Sequence, residues 1–288
     1  MSKGNLGVKG APGRFLPAAI PALLIAWAGI GPAAAADEAN LIDSRGYVSL
    51  GTFLNKSKLK IRVDGDAGDI GTDIDWGNTF GNNEETRLRL DGLWRITDKH
   101  HVRFMYTDYS RSKTATFDED VIWNGETIPV NATVTGKVGF SIAEVAYEYA
   151  LKRSENMELA LSAGVHYTTF EAKLSAIWDI EGTGGQGSLG GKASVGAPLP
   201  VFGGHGLWRL GNNFYADAQL QWFALSMDGY DGSILNYRAG VIWQPKKWVG
   251  VGLGYDSFNV DLKVKKDTFT GKMDWTYQGP QVYFNIAF

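Results

Sequence analysis

Val282-Tyr283-Phe284-Asn285-Ile286-Ala287-Phe288 is the stretch on which the sequence ends. Val282, Phe284, Ile286 and Phe288 are large and apolar, and Tyr283, Asn285 and Ala287 stand between them. Successive side chains of an extended strand point to opposite faces, so this period of two puts the apolar set on one face. The same period recurs upstream. Leu88, Leu90, Gly92, Trp94 and Ile96 alternate with Arg87, Arg89, Asp91, Leu93 and Arg95. Leu159, Leu161, Ala163, Val165 and Tyr167 alternate with Glu158, Ala160, Ser162, Gly164 and His166. Ala216, Ala218, Leu220 and Trp222 do so with Tyr215, Asp217, Gln219 and Gln221, and Val249, Val251, Leu253 and Tyr255 with Gly250, Gly252, Gly254 and Asp256.

A soluble sandwich or a lipocalin-like barrel also alternates, so strand length and the second face must separate the readings. Here the second face is largely charged, amide-bearing or glycine. The segments run to ~10 residues or more, the length of a tilted bilayer crossing, where soluble strands are usually nearer 5 or 6. Aromatic residues stand near many segment ends: Tyr47, Phe53, Trp94, Tyr106, Tyr147, Tyr149, Phe214, Trp243, Trp248 and Tyr255. Such a distribution suits the two interfacial girdles of a membrane barrel.

Tight polar turns at 97–100, 152–156, 211–213 and 244–247 alternate with longer connections at 64–84, 117–133, 179–192, 228–232 and roughly 265–271. They join ten strands at 45–63, 85–96, 101–116, 134–151, 157–178, 193–210, 214–227, 233–243, 248–264 and 271–288. The fold class is therefore all-β, a closed antiparallel transmembrane β-barrel of ten strands, with eight as the alternative. The sixth strand carries Pro198, Pro200 and Gly203-Gly204, which predict a bulge or break. In the tenth, the apolar parity changes around Gly279-Pro280. An even count with short turns on one side puts both ends of the mature chain in the periplasm.

The first 36 residues read as a cleaved secretory signal peptide. Lys3, Lys9 and Arg14 precede an uncharged stretch from Phe15 to Ile30, and Ala34-Ala35-Ala36 precede Asp37. A membrane anchor is the rival reading, against which stand Pro17, Pro21 and the shortness of the apolar run. Residues 37–288 then form a single barrel domain. The chain has 288 residues and no cysteine, which excludes a disulfide scaffold and a thiolate metal site. A net charge of −3 argues against nucleic acid as a partner.

The terminal strand with its apolar Val282, Phe284, Ile286 and Phe288 resembles the signature by which bacterial outer-membrane proteins are recognised for insertion. Over its mature length the chain resembles the small proteobacterial outer-membrane β-barrels, the broad group of porin-like, OmpW-like and OmpA-like proteins. The stretches 251–255 and 277–280 share in that resemblance. It implies an integral outer-membrane location, with lipid, lipopolysaccharide and, during insertion, the barrel-assembly machinery as partners.

Lumen-facing candidates mix signs: Arg87, Arg89, Asp91, Arg95 and Arg103 with Glu144, Glu148, Glu158, His166, Asp217, Arg238 and Asp256. Such groups either cross-link into a plug or line a selective water path. Lys56, Lys58, Lys60 and Arg62 alternate up the first strand. Parity from Val48, Leu50 and Leu54 turns them outward, to lipopolysaccharide phosphates, whereas a bulge would turn them inward. Asp64, Asp66 and Asp69 in the first loop are weak calcium candidates, since the loop lacks the EF-hand pattern. No cofactor is expected.

Asp73 and Asp75 resemble the paired aspartates of the ten-stranded outer-membrane proteases, but the opposing 228–231 loop supplies no histidine. His100 and His101 fall in a short turn, His205 in the periplasmic half of its strand and His166 at mid-strand, so no histidine reaches an outer loop. The functional expectation is a structural or narrow porin-like barrel. A surface adhesin or lipopolysaccharide-contacting protein, and an enzyme on lipid or peptide, are its rivals. Oligomeric state is not legible.

Overall fold

The computed structural model describes residues 40–65, 70–80, 84–181, 184–227, 229–266 and 269–288, so the segment 1–36, expected to be a signal peptide, lies outside the described residues. The elements are β1 (Gly46–Val63), β2 (Ile74–Asp75), α1 (Trp76–Phe80), β3 (Glu84–Arg95), β4 (His100–Thr116), β5 (Val121–Trp123), β6 (Glu126–Ile128), β7 (Thr133–Ser154), β8 (Met157–Ile180), β9 (Gly185–Gly211), β10 (Phe214–Met227), β11 (Tyr230–Lys246), β12 (Val249–Lys266) and β13 (Phe269–Ala287). Ten of them, β1, β3, β4 and β7 to β13, pair antiparallel in chain order. β13 returns to β1 from Tyr47↔Ala287 to Val63↔Gly271, which closes the barrel. Gly46 and Phe288 exchange both backbone hydrogen bonds at this closure, at 3.1 and 3.0 Å. The eight-strand alternative is thereby excluded.

A belt of outward-facing apolar side chains girdles the half of the barrel nearest the short turns. Trp94, Tyr147, Tyr149, Phe214, Trp243, Trp248 and Phe288 mark its turn-side rim. Tyr106, Tyr167, Trp222, Tyr237 and Tyr255 mark the other rim, with Leu50, Leu90, Val145, Leu161, Leu220, Val241, Leu253 and Phe284 between. A bilayer crossing needs about 9–11 residues of tilted strand. β8 has 24 residues and β9 has 27, so much of each strand projects past the belt at the loop end.

There the solvent logic reverses. Outward positions become Lys58, Lys60, Thr135, Lys137, Glu171 and Lys173, while a single apolar cluster fills the inside. β13 shows the reversal on one strand. Met273, Trp275, Tyr277, Gln281, Tyr283, Asn285 and Ala287 all point inward and are buried, so side-chain parity is unbroken through Gly279-Pro280. The apparent parity change in the sequence is the apolar set moving from the inside, where water surrounds the strand, to the outside, where lipid does.

The projecting part also divides. β4, β7, β8 and β9 stay paired to their loop-end tips, and so do β10, β11, β12, β13 and β1. β3 pairs with β4 only from Arg89↔Thr107 to Arg95↔His101. β9 pairs with β10 only from Phe202↔Trp222 down to the turn. Two seams therefore split the head into facing sheets over a shared core, as in a sandwich. The expected bulge or break at Pro198 and Pro200 is not there: β9 runs unbroken and stays in register with β8 through Val165↔Pro200 and Tyr167↔Pro198. Both prolines share one parity, so their missing donors fall on one edge, and the pairing lost is the one with β10.

Other connections also differ from expectation. Residues 179–192 form no long loop, because β8 and β9 pair to Ile180↔Gly185, and β12 and β13 pair to Lys266↔Phe269. The connection after β4 carries the β5–β6 hairpin, whose Asn124-Gly125 turn has φ of 54° and 78°. Positive φ at both positions suits the type I′ geometry that Asn-Gly adopts readily.

Trp275 sits at the centre of the head core. It is 4% exposed, its ring centroid lies 3.9 Å from Phe140 and 4.8 Å from Tyr277, and its Nε1 donates to Ser57 Oγ at 2.9 Å. Trp275→Ala is expected to destabilise the folded barrel by about 3–5 kcal/mol, the usual loss for a buried large aromatic. Urea unfolding of vesicle-reconstituted protein followed by gel mobility checks this; a loss below about 1 kcal/mol would mean the head core is not a cooperative part of the fold.

Candidate functional site

The inside of the belt is packed with paired charge. Arg89 donates through Nε and Nη2 to both oxygens of Asp91, at 2.8 and 3.0 Å, and through Nη1 to Asp256 Oδ2 at 2.7 Å. Arg238 Nη1 lies 3.1 Å from Asp91 Oδ1 and its Nε 3.6 Å from Asp217 Oδ2, while Tyr283 donates to Asp217 at 2.9 Å. Arg103 donates to Glu148, whose second oxygen lies 3.8 Å from His205 Nδ1. His166 Nε2 is 3.0 Å from Glu144 Oε2, and Gln221 donates to the other oxygen of Glu144. Nearer the turns, Arg95 grips Glu158 bidentately at 2.9 and 3.2 Å, with Arg153 Nε at 3.4 Å from the same carboxylate. Ser49 donates to Asn285 at 2.8 Å, so all ten barrel strands contribute a member.

Charges taken out of water cost several kcal/mol each unless they are paired and hydrogen-bonded, and the bidentate and shared contacts here supply that compensation. One of these cations also meets aromatic rings. Arg87 stands where the charged layer meets the head core, with its guanidinium carbon 4.0 Å from the Tyr109 ring centroid and 4.6 Å from that of Phe140. The rings of Trp275 and Tyr277 complete the cage at 5.4 and 5.2 Å. Aromatic faces carry the negative side of the ring quadrupole and stabilise a desolvated cation.

Both mouths are covered. At the turn end, Leu41 and Ile42 enter the barrel and pack with Tyr47, Leu93, Leu207, Tyr215, Ile242 and Tyr283. Leu41 N donates to Tyr215 OH at 3.2 Å, and the Ile42 and Ser44 carbonyls accept from Arg153 at 2.7 Å and Arg95 at 2.9 Å. At the loop end, Trp76 and Phe80 of α1 pack on Phe117, Trp123 and Ile128. Thr72 N to Ile122 O at 2.8 Å, and Ile122 N to Thr72 Oγ1 at 2.9 Å, tie this first loop to the β5–β6 hairpin. The space beneath, lined by Leu59, Trp76, Tyr109, Phe140, Phe170 and Trp275, measures about 20 Å³, room for about one water.

All twelve lumen candidates, Arg87, Arg89, Asp91, Arg95, Arg103, Glu144, Glu148, Glu158, His166, Asp217, Arg238 and Asp256, lie inside and are buried. Arg153, expected in a turn, reaches this network from the end of β7, and His101 points inward from the start of β4 rather than lying in a turn. No local pattern separates either from an ordinary polar turn residue. Likewise nothing in the sequence marks Leu41 and Ile42 as the turn-end stopper.

Lys56, Lys58 and Lys60 face outward and are exposed, with no bulge in β1. Arg62 Nε pairs with Asp64 Oδ1 at 2.9 Å. Across β13 and β12, Arg62 stands level with Lys272 and Lys263, and Lys60 with Asp274 and Asp261. Asp64 also accepts from Gly71 N at 2.9 Å, and Asp66 and Asp69 lie outside the described residues. Among the described residues no cluster of three His, Cys, Asp or Glu has the geometry to hold a metal ion.

Asp75 caps α1, accepting from Asn78 N at 3.1 Å, while Asp73 is exposed. Asp228 lies outside the described residues, and Asp231 is exposed in the register of Lys263. The four histidines sit inside or at the turn end; His100 Nδ1 is 2.6 Å from Tyr147 OH. The β3–β4 seam opens on the outer wall as a cleft of about 380 Å³ lined by Thr86, Arg87, Leu88, Asp108, Tyr109, Ser110 and Arg111.

No protein-family model and no curated protein matches the chain. Among solved structures, the outer membrane protease OmpT from Escherichia coli aligns over 85% of this chain and 97% of its own, at 12% identity and a TM-score of 0.57. This chain has the closed ten-stranded β-barrel fold of that outer-membrane protein. The toluene transporter TodX of P. putida aligns over 85% and 90% at 9% identity with a TM-score of 0.36. The outer membrane protein AlkL aligns over 90% and 95% at 10% identity with a TM-score of 0.36. At 12% identity the likeness to the protease is one of fold alone.

The barrel's network makes a specific demand on Arg89, which neutralises two carboxylates at once. Arg89→Met removes the ion-pair partner of Asp256 and leaves Asp91 to Arg238 alone, and is expected to cost about 3–5 kcal/mol. Asp91→Asn combined with Asp256→Asn in the same background should recover part of that loss. Equal stability of the single and triple variants in urea unfolding would show that the charges are hydrated rather than mutually dependent.

Proposed function

We propose that this barrel is a closed, non-conducting structural element of the outer membrane that engages lipopolysaccharide phosphates through the basic outer face of its head. In this reading residues 1–36 direct export and are removed, Val282, Phe284, Ile286 and Phe288 are read by the barrel-assembly machinery, both termini lie in the periplasm, and the head stands outside. The observation that carries the structural role is the filled lumen: a network of charged and polar groups drawn from ten strands, a hydrophobic stopper at one mouth and a capped apolar core at the other. A solute path would need most of these contacts to be undone together, each desolvated pair being worth kcal/mol rather than thermal energy.

Support for the lipid contact is the outward stripe Lys56, Lys58, Lys60 and Arg62, widened by Lys263 and Lys272 and set immediately beyond the apolar belt. Ammonium and guanidinium groups pair with phosphate, and at that depth lipid headgroups are the available anions. Asp274 and Asp261 beside Lys60 limit the field, so the contact is one of register rather than of bulk charge.

Planar-bilayer recording separates the closed barrel from a narrow porin. Protein whose gel mobility is heat-modifiable is expected to give no stable conductance steps across salts and voltages, and reproducible ohmic steps would overturn the reading. For the lipid contact, Lys56→Gln/Lys58→Gln/Lys60→Gln should weaken lipopolysaccharide binding by about 1 kcal/mol per lysine, with a reduced salt dependence. Unchanged binding in the triple variant would remove the stripe from the account.

A further inference from the structure

β9 rises well above the neighbour it pairs with on one side. It stays in register with β8 from Ile180↔Gly185 to Met157↔Trp208, whereas its pairing with β10 stops at Phe202↔Trp222. β10 ends shortly above, at Met227, and no other described strand pairs with β9. The stretch 186–196 therefore presents a bare strand edge in the polar part of the head. Its outward positions are Gln186, Ser188, Gly190, Lys192, Ser194 and Gly196, all small or polar and all exposed. Arg209 N donates to Asn156 O on the β8 side at 2.9 Å, so the odd-numbered residues of β9 turn their N–H and C=O groups towards β8. The even-numbered ones, which are the outward ones, turn theirs to the bare edge.

Such an edge is a template for another strand, and proteins guard edges with proline, bulges and charge. Pro198 and Pro200 guard the foot of this one, since both are even-numbered and lack the donor. Above them, 186–196 holds no proline, no shift of register against β8 and a single charge, Lys192. Lys192 also ends a row. Lys137, Lys173 and Lys192 are consecutive register partners on β7, β8 and β9, all outward and exposed. Like charges directly opposite one another repel. Among the described residues one carboxylate answers the row, Glu171 Oε2 at 3.2 Å from Lys192 Nζ. On the inner face of the same stretch, Leu189 and Ala193 pack on the head core.

We propose that the 186–196 edge of β9 is a docking site for an extended acidic polypeptide segment, which adds to the head sheet as one more antiparallel strand. The outward residues of that segment are acidic and continue the lysine row with the opposite sign. Its inward residues are apolar and extend the core beside Leu189 and Ala193. Backbone hydrogen bonds supply the affinity, and the lysines select the partner. They disfavour a second copy of this chain, which would bring its own Lys192 to the edge. β1 lies on the far side of the barrel, so this site depends on neither its phosphate contact nor the closed lumen.

The full chain in detergent micelles tests this with a fluorescein-labelled heptapeptide of alternating glutamate and valine, read by fluorescence anisotropy and by hydrogen exchange with mass spectrometry. The peptide is expected to bind about tenfold more tightly than its lysine–valine counterpart and to slow exchange across 186–196. No binding, or slowed exchange confined to other segments, would overturn the site. Antiparallel addition in this register points the glutamate N–H groups at β9. N-methylation at the glutamates should therefore weaken binding about tenfold, while N-methylation at the valines leaves it unchanged. Equal effects of the two sets would overturn strand addition. Gly190→Pro/Ser194→Pro removes two edge donors, as Pro198 and Pro200 do lower down, and should also weaken binding about tenfold; unchanged affinity would overturn the proposal. If that variant lacks heat-modifiable mobility, Lys173→Gln/Lys192→Gln should weaken binding about threefold, and unchanged binding counts against the site in the same way. A free chain that is dimeric by light scattering, and monomeric with the two prolines, would give the edge to a second copy and overturn the acidic partner.

Discussion

A backbone amide in hydrocarbon has no water to turn to, and this one constraint organises the rest of the molecule. It requires the sheet to close, and β13 meets β1 along its length, down to the reciprocal bonds between Gly46 and Phe288. Closure around ten strands then creates a lumen that must be filled or hydrated. The chain fills it with arginine–carboxylate pairs whose partners come from opposite walls, such as Arg89 with Asp256 and Arg95 with Glu158. A cross-wall pair does two things at once: it neutralises a buried charge, and it fixes the distance between strands that share no backbone bonds.

Past the belt the constraint relaxes, and the architecture relaxes with it. Water can satisfy a strand edge, so the closed barrel opens into two facing sheets that share an apolar core around Phe140, Phe258, Trp275 and Tyr277. The strands themselves continue without a bulge in β1 or β13; only the polarity of each face is exchanged. Arg87 marks the junction, a cation whose neighbours are charged on one side and aromatic on the other. The head and the membrane segment are thus one set of strands solved for two solvents.

Function follows the same division. In the proposed reading the lumen belongs to stability, since its arginines and carboxylates pair with one another and both ends are covered. What remains available to other molecules is the exterior, which includes a basic face on β1, β12 and β13 and a cleft at the β3–β4 seam.

The sequence by itself narrowed the strand count to ten or eight and determined most strand limits and the inward or outward sense of nearly every side chain, because a period of two is a local property of an extended backbone. Val282, Phe284, Ile286 and Phe288 declare their face without reference to any neighbour, and so do the arginines of β3. Only the tertiary structure decided what the inward charges meet, since Arg89 and Asp256 lie far apart in the chain and their pairing depends on closure and register. It also decided that Leu41 and Ile42 stopper one mouth and that α1 and the β5–β6 hairpin cap the other. The two warnings in the sequence, at Pro198-Pro200 and Gly279-Pro280, were real signals whose meaning was not local. One marks where a neighbour is lost and the other where the solvent changes, and both depend on what surrounds the strand rather than on the strand.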